Sequence, residues 1–167
     1  MKVLFAASEV SPFAKVGGLA DVVGSLPGAL RKERVETRVV MPKYRVIRPE
    51  LMKDAVFLGS TYIAMGWRRQ YAGLFSLVRD GITYYFIDNE YYFKRAQAYG
   101  NFDDGERFAF FSKAVLELMR ITDFYPDILH ANDWQSALSV IYLKRKYAHL
   151  ERYQRISALY TIHNIDY

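Results

Sequence analysis

Val3-Leu4-Phe5-Ala6-Ala7 is an unbroken apolar run. It opens into the punctuated stretch Ser8-Glu9-Val10-Ser11-Pro12-Phe13-Ala14-Lys15-Val16-Gly17-Gly18, after which Leu19, Val22, Val23, Leu26 and Leu30 recur at helical spacing. A short segment that is apolar at every position fits a strand buried on both faces, as in a parallel sheet. The spacing that follows is that of an amphipathic helix, so the stretch reads strand, loop, helix. Pro27 falls inside the helical pattern and brings no N–H, which predicts a kink or a break there. Thr37-Arg38-Val39-Val40-Met41 then predicts a second strand, stopped by Pro42.

The rest of the chain extends this unit. Residues 55–65, 70–78 and 82–88 are β-branched or aromatic and are separated by glycine-containing turns. The Asp80-Gly81 pair is a strong hairpin signal, so an antiparallel excursion is expected over about 55–88, ending in a strand at Ile82–Ile87. Helical period returns from Gly105, with Phe108, Phe111, Val115, Leu118 and Met119 on one stripe. A strand at Asp127–His130 precedes a helix from Trp134 to Tyr147, whose apolar side is expected at Ala137, Leu138, Ile141 and Tyr142. Ile156–Ile162 reads as a last strand running into His163-Asn164. No repeat, linker or low-complexity tract interrupts the order. The pattern predicts an α/β fold, a doubly wound, Rossmann-like parallel sheet with helices on both faces.

Composition narrows the function classes. The 167 residues are 51% hydrophobic, which excludes disorder, and contain no cysteine, which excludes disulfides, thiolate metal sites and a cysteine nucleophile. No apolar run approaches the length of a membrane span and the start lacks the layout of a signal peptide, so a cytoplasmic protein is expected. The net charge of +5 is spread along the chain; it suits a phosphate-bearing small ligand as well as a polymer and decides nothing by itself. His130, His149 and His163 show neither the spacing nor the carboxylate company of a zinc site, so no metal is expected.

In an open parallel sheet, ligands bind beyond the carboxyl ends of the strands. Three loops leave such ends: Ser8–Gly18, His130–Trp134 and His163-Asn164. The first closes on Gly17 and Gly18, which let a backbone approach a ligand, with Lys15 nearby as a point charge and a helix start behind them. The spacing matches neither a dinucleotide fingerprint nor a P-loop, and from spacing alone an ordinary loop-to-helix turn is as good a reading. Asp133 stands where a helix N-cap is expected, Trp134 where core packing is, and His130 reads as structural. The aromatics at Tyr84-Tyr85-Phe86 and Tyr91-Tyr92-Phe93 read as core, with a sugar-stacking face as the alternative.

Together, Lys2–Pro12, Lys15-Val16-Gly17-Gly18-Leu19-Ala20-Asp21-Val22, Glu106–Phe111, His130–Trp134 and Thr161-Ile162-His163-Asn164-Ile165 resemble the bacterial glycogen synthase and plant starch synthase family. These are retaining glucosyltransferases of the two-domain GT-B type. The resemblance implies transfer of glucose from ADP-glucose to the non-reducing end of an α-1,4-glucan, with no cofactor. It places Lys15, Gly17 and Gly18 against the donor, and Asp21 in the cleft near the sugars. It also makes Asp133 an active-site carboxylate and sets the main-chain carbonyl of His163 against the glucose. Tyr99, Asp103, Trp134 and Asn164 become candidate glucan contacts, while Asp166 departs from the family's usual small or apolar residue. Family members are longer, and their second domain grips the nucleotide. Residues 1–167 are therefore expected to be an acceptor-side, N-terminal domain, cut short and inactive alone, with self-association through the face meant for the other domain. A non-catalytic glucan- or nucleotide-binding module is the alternative.

Overall fold

In a computed structural model, residues 1–164 of the chain are described. The elements run β1 (Lys2–Ala6), α1 (Leu19–Lys32), β2 (Glu36–Pro42), a 3-10 turn (Pro49–Leu51), β3 (Val56–Met65), β4 (Arg68–Arg79), β5 (Ile82–Asp88), α2 (Glu90–Phe93), α3 (Asp104–Thr122), β6 (Ile128–Asn132), α4 (Trp134–Arg145), α5 (Glu151–Gln154) and β7 (Ser157–Thr161). Among the described residues the strands form one sheet in the order β3-β4-β5-β2-β1-β6-β7. The five strands from β5 to β7 are mutually parallel, and β3 and β4 add the antiparallel excursion at one edge.

Both faces are covered. Thr37 on β2 donates its hydroxyl to the Pro27 carbonyl of α1 at 3.0 Å. Its neighbour Arg38 points to the opposite face and lies 3.8 Å from the Phe124 ring centroid, just after α3. Right-handed crossovers require this: α1 leads towards one edge of the sheet and α3 and α4 lead back towards the other, so they occupy opposite faces. The central strands β1, β2 and β5 are buried almost throughout, as strands covered on both faces are.

Several local expectations are corrected. Helix α1 runs unbroken past Pro27, which is buried, and the carbonyl of Pro27 is used by Thr37. Pro42 is the last residue of β2 rather than its stop, in register with Ile87; Lys43 then donates its N–H to the Ile87 carbonyl. Helix α4 ends at Arg145, before Tyr147, and turns a different face inward. Gln135, Ser136, Ser139 and Leu143 are buried, whereas Ile141 is 54% exposed. The serines pay little for burial because each hydroxyl bonds a carbonyl one turn back: Ser136 to Asn132 at 2.7 Å, Ser139 to Ser136 at 2.6 Å. Tyr91 is exposed while Tyr92 and Phe93 are core. Expectations that fall on Ile165, Asp166 and Tyr167 lie outside the described residues.

The β4–β5 turn has positive φ at both Asp80 (51°) and Gly81 (73°), the arrangement of a type I′ hairpin. Gly81→Ala forces a Cβ into the left-handed region and against the Arg31 guanidinium. It should lower stability by about 1 kcal/mol in a denaturant titration, with the sheet otherwise intact.

Candidate functional site

All parallel strands end on one side, and the loops after four of them meet there. Following β1, β5, β6 and β7, these loops enclose a cleft of about 520 Å³. The loop after β1 contributes Glu9, Val16, Gly17 and Gly18, and the segment after β5 contributes Tyr99. Asp133 comes from the end of β6, and His163 with Asn164 from the end of β7.

Glu9 is 2% exposed. Its Oε2 accepts the N–H of Val16 at 2.5 Å and of Gly17 at 2.7 Å, while Oε1 accepts the hydroxyl of Tyr99. The carboxylate thus fixes the backbone of the glycine loop from behind. Neither Gly17 nor Gly18 has a positive φ, and a Cβ at Gly18 would meet nothing within 4 Å. The chain's own packing therefore does not ask for glycine at Gly18. Gly18 is the N-cap residue of α1, with no side-chain cap.

Asp133 is 2% exposed and has φ 56°, ψ 175°, a region that is essentially glycine's and costs about 1–3 kcal/mol to hold. It occupies the N-cap position of α4, yet its side chain makes no cap bond. Instead Oδ1 accepts the His163 N–H at 2.6 Å and the Asn164 N–H at 3.4 Å. The capping role expected from sequence is replaced by one that binds the end of β7 to the end of β6. Asn132 completes the network. Its Oδ1 accepts from Nε2 of His163 at 3.0 Å, and its amide donates to the His130 carbonyl at 3.0 Å. His163 is therefore tied through both ring and backbone N–H.

The other residues singled out from sequence lie around this centre. Lys15 and Asp21 form an exposed ion pair, Nζ to Oδ2 at 2.7 Å, beside the glycine loop and outside the cleft lining. Trp134 packs edge-on against Phe108 with ring centroids 5.1 Å apart, also outside the lining. Asp103 is at the start of α3 and pairs with Arg95 at 2.9 Å, away from the cleft. His130 packs its ring on Phe5 at 4.9 Å and bonds Thr161 Oγ1 at 2.8 Å, the structural part expected of it. Glu9 and Asn132 were not singled out. One is a lone carboxylate in a loop and the other a lone amide at a strand end, and only the fold reveals that both are buried.

The cleft lies where ligands bind in doubly wound sheets generally, and the fold is that of the N-terminal half of a GT-B glycosyltransferase, matching a solved structure at a TM-score of 0.89. That match is to the catalytic domain of starch synthase IV from Arabidopsis thaliana, bound to ADP and acarbose, at 31% identity over 98% of this chain and 34% of that one. The chain belongs to the starch synthase catalytic domain family, whose model matches residues 2–167. It is 50% identical over its whole length to the glycogen synthases of Geobacillus stearothermophilus and Caldicellulosiruptor bescii. It spans about a third of their length, 34% and 35%. Among the described residues no helix is long and apolar enough to cross a membrane.

Burial first, and the nearby His163 second, hold the His130 pKa below its ordinary value of 6.5. The unfolded chain then takes up the proton first, so stability is intact above about 6.5 and declines as pH falls below it. Thermal unfolding should show the decline as pH falls below about 6.5, and His130→Gln should flatten that part of the profile.

Proposed function

We propose that this chain forms the acceptor-side half of the active site of a retaining glucosyltransferase. The reaction moves glucose from ADP-glucose to the non-reducing end of an α-1,4-glucan. The observation that carries the reading is the meeting of two rigid parts across one cleft: the Glu9-held glycine loop and the Asp133-held His163-Asn164 segment. The family membership and the ADP- and acarbose-bound neighbour support it.

Each residue then has a physical task. Gly17 and Gly18 leave room for the donor to lie against backbone, where helix α1 begins and its dipole favours negative charge. Lys15 supplies positive charge towards the diphosphate as it leaves, and Asp21 holds that lysine in place until then. Glucosyl transfer develops positive charge at the anomeric carbon. Fixed acceptors stabilise it most when they need no rearrangement during the reaction. The carboxylate of Asp133 and the main-chain carbonyl of His163, locked through Asn132, are such groups. Tyr99, Asn164 and Trp134 flank the glucan path, and Asp103 contributes from further out. The chemistry asks for no metal or cofactor.

Residues 1–167 act as the N-terminal domain in this reading, with the nucleotide gripped by a second domain, in the cytoplasm where nucleotide sugars are made. Exposed Val16, Val22, Trp134 and Ile162 at the cleft end give that face an apolar character suited to contact with protein, a second copy included.

Incorporation of labelled glucose from ADP-glucose into glycogen, measured on the full polypeptide the gene encodes, tests the reading. Asp133→Asn, which leaves an oxygen for the His163 N–H but removes the charge, should cut turnover at least about 100-fold while thermal stability stays close to wild type. Lys15→Ala should cost about ten-fold. Wild-type kinetics in Asp133→Asn would sink the assignment.

A further inference from the structure

Tyr99 reaches the cleft from a segment that has no ladder to hold it. Between α2 and α3, residues 94–103 form neither helix nor strand, yet the Tyr99 hydroxyl bonds a carboxylate 90 residues away in sequence. Something else must fix the backbone at that point.

We propose that the Arg107–Asp104 pair of α3, its guanidinium buried and its carboxylate partly so, is the positioning device of the cleft: it clamps the chain on both sides of Tyr99, so that Tyr99 holds Glu9 and Glu9 holds the glycine loop. Arg107 is 0% exposed, the largest fully buried side chain among the described residues. Its Nη2 donates to the carbonyl of Ala98 at 3.0 Å, immediately before Tyr99. Its Nε donates to the Tyr92 carbonyl at 2.7 Å, and its Nη1 pairs with Asp104 Oδ1. The other oxygen of Asp104 accepts the N–H of Gly100 at 2.6 Å, immediately after Tyr99. Gly100 has φ +90°, a conformation that leaves this position to glycine. One ion pair thus grips the peptide groups on either side of a single tyrosine.

A purely stabilising role explains this less well. Burying the Arg107 guanidinium costs desolvation that its pairing does little more than offset, so the pair is weak evidence for stability by itself. Here two of its bonds go to the main chain of one irregular segment and a third to Tyr92 in α2 just before it, and the planar fork of arginine suits that geometry where the point charge of lysine does not. Tyr44, buried beside the same groups, closes the cluster; burial raises its phenol pKa, and Arg107, Tyr99, Glu9 and Asp104 all act on it. The path runs from α3 through Tyr99 and Glu9 to the amides of Val16 and Gly17. It links the third helix to the first loop without passing through the sheet.

The positioning claim stands on geometry alone. Its consequence for turnover rests on the glucosyltransferase reading above. Amide hydrogen exchange on the full polypeptide separates the two. In Tyr99→Phe, Asp104→Ala and Arg107→Lys, exchange at Val16 and Gly17 should quicken by about ten-fold, with Leu4 and Phe5 in the core strand unchanged. Tyr99→Phe removes one oxygen and no packing, so it reports even where the Arg107 variant folds poorly. Wild-type protection of Val16 and Gly17 in Tyr99→Phe and Asp104→Ala overturns the proposal, as does an equal rise at Leu4 and Phe5, which marks a loss of global stability only. With the amides loosened, a raised KM for ADP-glucose or glucan supports both claims. Loosened amides with unchanged transfer kinetics leave the clamp standing and contradict the glucosyltransferase role of the glycine loop.

Discussion

A carboxylate shut away from water must be hydrogen-bonded or paired, because an unmet buried charge costs several kcal/mol. Glu9 meets that demand on both oxygens, with two backbone N–H groups on one side and a phenol on the other. The consequence is geometric as much as energetic. The loop from β1 to α1 cannot relax away from the cleft, and Tyr99 cannot leave, without exposing the charge or stranding it. The front of the glycine loop is thereby presented to the cleft as a surface already in place. The Lys15–Asp21 pair sits at its rim, exposed and free to exchange partners at little cost.

The opposite wall is organised by a second buried carboxylate under different terms. Asp133 sits in backbone strain that the β6–β7 pairing over-determines: its own N–H bonds the Thr161 carbonyl at 2.9 Å while its side chain accepts the N–H of His163, two residues further on. Strain of this kind persists where the surroundings enforce it, and it commonly marks a working site. Both walls therefore use the same principle. Each anion is anchored by main-chain N–H groups from a neighbouring loop, so the cleft is fixed before any ligand arrives.

The architecture was legible because burial writes itself into sequence. Val3–Ala7 is apolar at every position and Val39–Met41 and Ile82–Ile87 are nearly so, as strands covered on both faces must be, and Asp80-Gly81 announces its own turn. Periodicity misled where polar residues can be buried cheaply: Ser136 and Ser139 satisfy themselves on their own helix, so α4 could turn Ile141 outward. The site was legible in part. The motifs carried Gly17, Gly18, Asp133, His163, Asn164 and Tyr99 to one cleft, but left Asp103 beside Arg95 and Asp133 without its expected cap bond. Glu9, Asn132, Asp104 and Arg107 gave no signal of their roles. What distinguishes them is a partner far away in the chain, and no local pattern records that.

The central claim is that the cleft between the glycine loop and the Asp133–Asn164 wall is where sugar and donor meet. The most direct test is a titration of the isotope-labelled protein with ADP-glucose and with a maltooligosaccharide, followed residue by residue through amide chemical shifts. The account predicts saturable shifts concentrated at Val16, Gly17, Gly18, Asp133, His163 and Asn164. The strands' other end carries a more polar depression, lined by Lys2, Asp123, Tyr125, Asp127, Arg152 and Arg155. Shifts centred there, with the cleft silent, contradict the claim.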